Sequence, residues 1–382
     1  MKKISARSWA AALCSILAAG ALACALAACN STSEPESQQQ PDPEPTPVEP
    51  TTYTVTDLEG YTIELEETPT AMLMNWPGGL AVVLMFGQGD NMAGYMSTVA
   101  KATYSWMQRV APAILTKPTA DNLTAESALD LGADLVITRT GSEAEPYRNA
   151  GLNAIAMQQS NIEELHEVVT IFGELFGMQD HAAAYIAYLD DTIASIAKRL
   201  EGIDKADYPV VYTINAGRGK TPTVTDAGNT VSTVYFDLAG GVNATLGSDL
   251  SGYGAEISVE ELLEINPDII VVNGSACQQV YADLLADPVL SKLTAVTSGQ
   301  TYIVPVGVHT WSGTGPECAL YIQWLAKCIH PDLFTDVDMH QVIKDFYADF
   351  YFTEFTDEEV DAIEAGYASL DAYRAAQAPA AA

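Results

Sequence analysis

Polar and aromatic side chains follow several short apolar runs of this chain, at points where a strand would end. Ala71–Met74 is one such run, and it leads directly into Asn75 and Trp76. In parallel α/β proteins, ligands bind in crevices beyond the carboxyl ends of the strands. An aromatic ring offers a wall and a guanidinium attracts an anion, so this set favours noncovalent binding of a bulky, anionic ligand. The residues selected by this rule are Asn75, Trp76, Tyr95, Met96, Arg139 and Thr140 in the first half, and Asn215, Arg218, Asn273, His309, Thr310 and Trp311 in the second.

The tryptophans and arginines of this set each have an ordinary structural alternative. Trp76 and Trp311 lie in loops flanked by Gly or Pro, where an indole either contacts a ligand or packs under the loop. Arg139 and Arg218 are scarce cations in an acidic chain, and each could instead form a surface ion pair. Both alternatives stay open at the level of sequence.

His309 is a candidate ligand of iron, because imidazole is a common axial ligand of haem. Tyr95, Tyr104 or Met96 could then supply a second ligand from the facing half of the molecule. The alternative is a loop histidine that only forms hydrogen bonds. The remaining histidines lie on predicted helices or helix ends and form no cluster; they are His166, His181, His330 and His340. We therefore predict no resident metal or cofactor.

Signatures of common catalytic sites are missing from the sequence. It contains no G-x-S-x-G elbow and no H-E-x-x-H pair, and Gly217–Lys220 is too short for a Walker loop. We therefore predict a binding protein without catalytic residues. The rival classes are an extracytoplasmic enzyme, which would turn over its bound ligand, and a surface adhesion lipoprotein, which would leave its cleft unliganded.

The N-terminal segment is typical of an exported protein. Residues 1–28 carry three basic residues ahead of an Ala- and Leu-rich apolar run, which predicts a secretory signal. A transmembrane anchor is the alternative, although the apolar run is short. The run ends in LAAC, which resembles the bacterial lipobox and implies lipidation of Cys29 and anchoring to the membrane. Residues 29–52 are rich in Pro, Glu, Ser and Gln, and this composition predicts a disordered spacer.

Composition and charge narrow the class of protein further. A chain of 382 residues with 48% hydrophobic residues suits a globular protein of about two domains. With 50 acidic and 17 basic residues the net charge is −33, so nucleic acid is excluded as a partner. The acidity serves either solubility or the steering of a cationic ligand. The cysteines outside the signal and the lipobox show no metal-ligand spacing and are interpreted as packing residues: Cys277, Cys318 and Cys328.

A long helix divides the chain. Met178–Leu200 places Ala182, Ile186, Leu189 and Ile193 on one stripe and ends before Gly202. Strands alternate with helices on both sides of it, which predicts an α/β fold of two Rossmann-like lobes with central, mostly parallel sheets, joined by this single helix. The predicted boundaries are 53–177 for the first lobe, 178–203 for the bridge, 204–376 for the second lobe and 377–382 for a frayed tail. Individual predictions include a hairpin over Tyr53–Glu66, a strand over Met92–Met96 and a single helix over Asp357–Tyr373.

Two segments are alike and occupy equivalent places in the two lobes. Residues 125–138 (AESALDLGADLVIT) and 259–272 (VEELLEINPDIIVV) share an acidic helix start, a Leu-rich turn, then Asp and a β-branched strand. An internal repeat is the simplest interpretation.

In the order and spacing of such segments, residues 53–366 resemble the substrate-binding proteins of bacterial iron-siderophore, haem and cobalamin ABC importers. The matching stretches include VTDLEGYTIEL, DLAGGVNA, DPVLSKLTAVTSGQTYIVPVG, WLAKCIHPDLF and IKDFYADFYF. The resemblance implies a class III periplasmic-binding-protein-like fold with a ligand in the cleft between the lobes. It also implies a monomer that delivers its ligand to an ABC permease with its ATPase. A ferric siderophore or related iron complex is the first expectation for the ligand, with a corrinoid or haem as the alternative.

Two glutamates gain a role only from this resemblance. In the family, a Glu at the tip of each lobe docks onto arginines of the permease, and Glu126 and Glu260 hold the matching positions. A charge-assisted contact of this kind would orient the complex. The alternative is an acidic residue that favours a helix N-terminus.

Overall fold

The computed structural model describes residues 53–378. The predicted signal, the predicted lipidation site Cys29, the whole predicted spacer and residues 379–382 of the predicted tail lie outside the described residues. None of the described helices is both long enough and apolar enough to cross a membrane.

The first half is built on a small parallel sheet. Three strands lie in the order β3-β6-β7, with Leu73 paired to Val136 and Ile137 to Ile155. The predicted hairpin is confirmed as the antiparallel pair β1–β2. The strands are β1 Tyr53–Thr56, β2 Thr62–Leu65, β3 Met72–Met74, β4 Tyr95–Met96, β5 Thr119–Ala120, β6 Leu135–Thr138 and β7 Ala154–Ala156, and the helices are α1 Pro77–Met85, α2 Ser105–Val110, α3 Ala125–Asp130, α4 Gly141–Asn149 and α5 Ile162–Leu175.

Helix α6, Gln179–Arg199, follows as the longest described helix, 21 residues without Gly or Pro. Its buried stripe runs through Ala182, Tyr185, Leu189 and Ile196. The predicted stripe differs from the observed one at one position: Tyr185 is fully buried, whereas the predicted Ile186 is only half-buried.

The second half repeats the plan with a larger sheet. Four parallel strands lie in the order β10-β8-β12-β13, and β9 and β11 form a separate antiparallel pair. The strands are β8 Val210–Asn215, β9 Val224–Asp226, β10 Val242–Asn243, β11 Tyr253–Glu256, β12 Ile269–Asn273 and β13 Thr301–Ile303, and the helices are α7 Val231–Ala239, α8 Val259–Ile265, α9 Cys277–Ala286, α10 Thr294–Thr297, α11 Cys318–Ile329, α12 Met339–Phe350, α13 Asp357–Glu364 and α14 Leu370–Gln377.

The repeated segments have the same local structure. Thr124 and Ser258 begin α3 and α8 with capping boxes, which satisfy the first backbone donors of each helix. The aspartate that follows each helix then bonds the neighbouring strand region: Asp134 Oδ2 accepts from Ala71 N at 2.9 Å, and Asp268 Oδ2 accepts from Val210 N at 2.8 Å. The shared sequence pattern thus encodes how each central strand is joined to its neighbour.

The C-terminal region departs from the predicted single helix and contacts both halves. Gly366 adopts φ 74°, which ends α13 and separates it from α14. Tyr367 O accepts from Trp106 Nε1 of the first half at 2.7 Å, and Glu359 pairs with Arg109 at 2.9 Å. The C-terminal region, including α13, therefore packs against the first half of the chain.

Tyr185 is expected to contribute measurably to stability. Its hydroxyl donates to Pro316 O at 2.9 Å and joins α6 to the segment before α11. Tyr185→Phe removes the shorter of two bonds to that carbonyl, which Ala319 N also reaches at 3.4 Å, and is expected to lower the free energy of unfolding in urea by about 1 kcal/mol. Tyr188→Phe is the control, because its buried hydroxyl on the same helix has no partner among the described residues. Equal losses for the two variants would contradict a role for this bond.

Candidate ligand-binding cleft

A cavity of about 720 Å³ opens between the two halves of the described chain. Its walls are rich in amides and hydroxyls, with three aromatic rings and a single arginine among them. The residues that line it include Trp76, Gly78, Tyr104, Gln158, Gln159 and Ser160 from the first half, Asn215, Arg218, Asp226, Asn229, Thr230, Tyr253 and Asn273 from the second, and His309, Thr310, Ser312, Gly313 and Thr314 from the loop before α11.

The first-half wall forms where β3 gives way to α1. Trp76 is the N-cap residue, Pro77 occupies the first helical position, and Gly78 lines the cavity. A Cβ on Gly79 would lie 2.3 Å from the Trp76 ring, so only glycine permits the indole to fold over the helix start. The sequence PGG therefore places both an aromatic ring and a helix N-terminus in the cleft.

The second-half wall forms where β8 ends. Asn215 Oδ1 accepts from the backbone N–H of Arg218 at 3.1 Å and shapes the turn, while its Nδ2 donates to Asp226 Oδ1 at 2.6 Å. Asp226 is 2% exposed, and burial raises the pKa of this carboxyl above its usual value. Arg218 is exposed and forms no ion pair with any of the described residues.

The third wall is the loop of residues 307–314. His309 and Thr310 face the cavity near the start of the loop, and Asn273 Nδ2 donates to Ser312 Oγ at 3.2 Å near its end. Burial lowers the pKa of His309 to about 4, so its ring is neutral at neutral pH. The enclosed Nδ1 of His309 has no hydrogen-bond partner among the described residues.

Glu317 supports this loop from behind. It is 1% exposed, and its two carboxylate oxygens accept from Val308 N and His309 N, both at 2.7 Å. Tyr347 of α12 donates its hydroxyl to the same carboxylate. Burial raises the pKa of Glu317 to about 7 even though these three donors favour the ionised form.

The cavity brings together six of the residues selected from sequence. Trp76, Asn215, Arg218, Asn273, His309 and Thr310 line it, together with Tyr104. Their contact with a ligand stays a prediction.

Trp311 is a correction, because it does not reach the cleft. Its side chain is fully buried, with Nε1 3.4 Å from the hydroxyl of Tyr347. The loop turns this indole into the core beneath it, which is the packing alternative noted above.

Tyr95 and Met96 are also misplaced by the sequence prediction. The predicted strand over Met92–Met96 shrinks to a two-residue strand that pairs with Thr119 and Ala120, outside the main sheet. Tyr95 is buried and donates to Gly89 O at 2.5 Å, and Met96 is half-buried against the core. Neither lines the cavity, so neither stands opposite His309.

Asn75, Arg139 and Thr140 lie beside the cleft without lining it. Asn75 Nδ2 donates to Glu143 Oε2 at 2.8 Å, and the Arg139 guanidinium pairs with the same carboxylate. Thr140 caps α4, a helix that the sequence prediction omitted. Glu143 on that helix engages both polar side chains, which explains why they point away from the cavity.

Several cavity residues were not selected from sequence. Gln158, Gln159 and Ser160 follow β7, the third strand of the first sheet, so the strand-end rule could have found them. Asp226 and Tyr253 lie on the pair β9–β11, whose short strands carry little periodic signal.

Outside the cleft, one group of side chains could hold a metal ion among the described residues. His340 lies within reach of Asp361 and Glu364, and its ring also approaches Asp357 at 3.3 Å. Burial opposes protonation of His340, but hydrogen bonds with Asp357 and Glu364 raise its pKa. The hydrogen bonds of the His340 ring with Asp357 and Glu364 account for this surface group without a metal.

The predicted docking residues lie at comparable positions in the two halves. Glu126 and Glu260 are exposed in the first turns of α3 and α8. Neither makes a side-chain hydrogen bond or ion pair with a described residue, so both are free for a partner.

A family model described as "Periplasmic binding protein" matches residues 76–306, which include the four-stranded sheet, strands β6 and β7 of the first sheet and most of the cleft. The chain belongs to the periplasmic binding protein family. The crystal structure of a periplasmic solute binding protein from Veillonella parvula DSM 2008 is similar, with a TM-score of 0.72 and 22% identity, covering 82% of this chain and 97% of that one. The α/β fold with parallel sheets predicted from sequence is thereby confirmed.

Two curated relatives of this family member differ in what their names say they bind. The molybdate-binding protein MolA of Haemophilus influenzae is 32% identical over 101 residues, 26% of this chain and 28% of MolA. The aligned part thus spans little more than a quarter of that relative. The cobalamin-binding protein of Halobacterium salinarum strain R1 is 23% identical over 290 residues, 72% of this chain and 74% of the relative.

Proposed function

We propose that this periplasmic binding protein is the lipid-anchored, extracytoplasmic solute-binding component of an ABC importer. It captures a metal chelate, with a ferric siderophore as the first candidate, and delivers it to the permease. The cavity between the two halves carries the proposal, since its volume of about 720 Å³ lies in the range of sites for drug-sized organic ligands. Cys29 would carry the lipid.

The charges of the cavity suit an anionic chelate. Arg218 is exposed and unpaired among the described residues, so its guanidinium can bind oxygens that surround a ferric ion. Trp76 and Tyr253 offer ring faces for stacking, and the amides of Asn229 and Asn273 add hydrogen bonds. A chelator already wraps its metal, so the protein need not contribute a ligand of its own.

Haem fits these walls less well than a polar ligand does. The lining is rich in amide and hydroxyl groups, and the neutral His309, whose Nδ1 is enclosed, is the one imidazole among the described residues that line it. A corrinoid suits the same lining better, because its periphery bears amide groups. The relative from Halobacterium salinarum, named for cobalamin, supports this alternative.

A small oxyanion is the second candidate, and a specific observation favours it. Gly78, in the first turn of α1, lines the cavity, and helix N-termini bind anions. The similarity to MolA over 101 residues also supports it. A tetrahedral oxyanion alone, however, would leave most of the cavity to water, so we rank it behind a chelate.

Loss of Arg218 is expected to separate anionic ligands from cobalamin. Arg218→Gln removes a charge-assisted contact and should weaken an anionic chelate about tenfold, while cobalamin affinity should change little. Tryptophan fluorescence titrations with ferrichrome, ferric enterobactin, cyanocobalamin and molybdate measure this. Arg139→Gln is the control, since this arginine lies outside the cavity. Wild-type affinity for ferric enterobactin, the anionic chelate of the set, in the Arg218 variant would remove the proposed contact.

A further inference from the structure

The loop that forms the third wall of the cleft is held at its start by one buried carboxylate. Both oxygens of Glu317 are used, one for Val308 N and one for His309 N. Consecutive amides bound by one carboxylate fix two successive peptide planes. The same two residues immediately precede Thr310, so the anchored backbone is the backbone that presents His309 and Thr310 to the cavity.

The backbone at the start of the loop packs closely against Glu317 and Tyr347. A Cβ on Gly307 would lie 2.1 Å from Glu317 Oε1 and 1.8 Å from the hydroxyl of Tyr347. Only glycine at this position allows the carboxylate to approach the loop so closely. Trp311 is buried beside the same groups, with its Nε1 next to the hydroxyl of Tyr347.

Side chains from other elements bond the far end of the loop, whereas its start has a local backbone bridge between Val306 and Thr310 and the carboxylate of Glu317. Tyr235 donates to Gly313 O at 2.9 Å, Gln159 donates to Thr314 O, and Tyr185 donates to Pro316 O. These donors come from α7, the first half and the bridging helix. Among the described side chains, Glu317 alone bonds the backbone of Val308 and His309.

We propose that Glu317 is a positioning residue for ligand binding, whose carboxylate holds the start of the loop in the conformation that presents His309 and Thr310 to the ligand. This inference rests on the proposed function, because it assigns Glu317 to the cleft that binds the solute.

The surroundings of Glu317 make the anchor sensitive to pH. The titratable groups that face it are Tyr347 and Tyr351 from the end of α12, Cys318 from α11 and His309 from the loop. Burial raises the pKa of the tyrosines and the thiol and lowers that of His309, so all four are neutral near pH 7. No cation compensates the carboxylate among the described residues. Protonation of Glu317 near pH 7 turns one acceptor oxygen into a donor and disrupts the pair of bonds to the loop.

The test compares the full-length protein with Glu317→Gln and Tyr347→Phe, and with Glu359→Gln as the control. Glu359 is also a buried glutamate, but it pairs with Arg109 and caps α13, away from the cleft. Amide hydrogen exchange at Val308 and His309 is measured at pH 8 without ligand. Exchange should accelerate about tenfold or more in Glu317→Gln, and less in Tyr347→Phe.

The second arm measures affinity for ferrichrome, ferric enterobactin, cyanocobalamin and molybdate at pH 6 and pH 8. For whichever probe binds, Glu317→Gln should weaken binding about tenfold at pH 8 and abolish the pH dependence shown by wild type and by the control. Unchanged exchange at Val308 and His309, or faster exchange with unchanged affinity and pH profile, would overturn the role of Glu317. If wild type binds none of the four probes, the proposed ligand classes fail, while the exchange arm still decides whether Glu317 anchors the loop.

Discussion

The double substitution Glu126→Ala with Glu260→Ala is expected to abolish import in cells while leaving ligand affinity unchanged. Both carboxylates are exposed in the first turns of α3 and α8, helices that the two halves build in the same way. Neither lines the cavity of about 720 Å³, so their removal should not change ligand affinity. Two such charges, paired with arginines of a permease, would fix the orientation of the complex.

Uptake of labelled ligand by cells measures this prediction. Each single variant should retain partial uptake, because one charged contact would still orient the complex. Glu163→Ala is the matched control: Glu163 is also exposed in the first turn of a helix, α5, but has no counterpart in the repeat. Normal uptake by the double variant would remove the docking role and leave both residues as helix-start acids.

Ionisation of Glu317 is expected to cost the protein about 3 kcal/mol of stability between pH 5 and pH 8. In the native state burial raises the pKa of this carboxyl from 4.5 to about 7. Between these values the folded protein holds a proton that the unfolded chain has released. The free energy of unfolding contributed by Glu317 is therefore fully present below pH 4.5 and is lost as the pH rises through about 7.

The difference between wild type and Glu317→Gln isolates this effect. His309 and His181 act in the opposite direction at acidic pH, because burial lowers the pKa of each and stability then rises with pH. Both histidines remain in the variant, so their contribution cancels in the difference. Urea unfolding at pH 5, 6, 7 and 8 should show wild type losing stability relative to Glu317→Gln across this range. A constant difference would contradict a strongly raised pKa.

Glu359→Gln provides the contrast for this measurement as well. Although burial opposes it, the bonds from Thr356 and Arg109 lower the pKa of Glu359. Its contribution is lost only at acidic pH, so its difference from wild type should stay flat between pH 5 and pH 8.

The repeated elements of the fold could be predicted because their signals are local. Each repeat carries its signals within a short stretch of sequence. These signals are the helix starts at Thr124 and Ser258 and the aspartates that precede the strands, Asp134 and Asp268. The strand-end rule likewise found Asn215 and Arg218, because the position of a side chain beyond β8 follows from the strand itself.

The orientation of loop side chains could not be predicted in the same way. Trp76 and Trp311 both lie in Gly-containing loops, yet Trp76 lines the cavity while Trp311 is fully buried. Trp311 Nε1 lies 3.4 Å from the hydroxyl of Tyr347 on α12, so part of its buried site comes from a distant part of the chain. Such long-range packing leaves no local trace in sequence.

Glu317 illustrates a second limit. In sequence it is one acid among 50, at the start of an apolar stretch that reads as a buried helix. Only the fold reveals that two amides of the cleft loop and the hydroxyl of Tyr347 converge on it. An isolated acid ahead of a strongly apolar helix is the one signal that could have selected it.

Native mass spectrometry of the purified protein in an equimolar mixture of ferrichrome, ferric enterobactin, haemin, cyanocobalamin and molybdate tests ligand capture most directly. We predict one ligand per chain, chosen from the chelates and released with its mass unchanged, and a loss of this complex in Trp76→Ala. Absence of any complex, or release of a chemically altered ligand, would contradict capture and delivery of an intact chelate by this cleft.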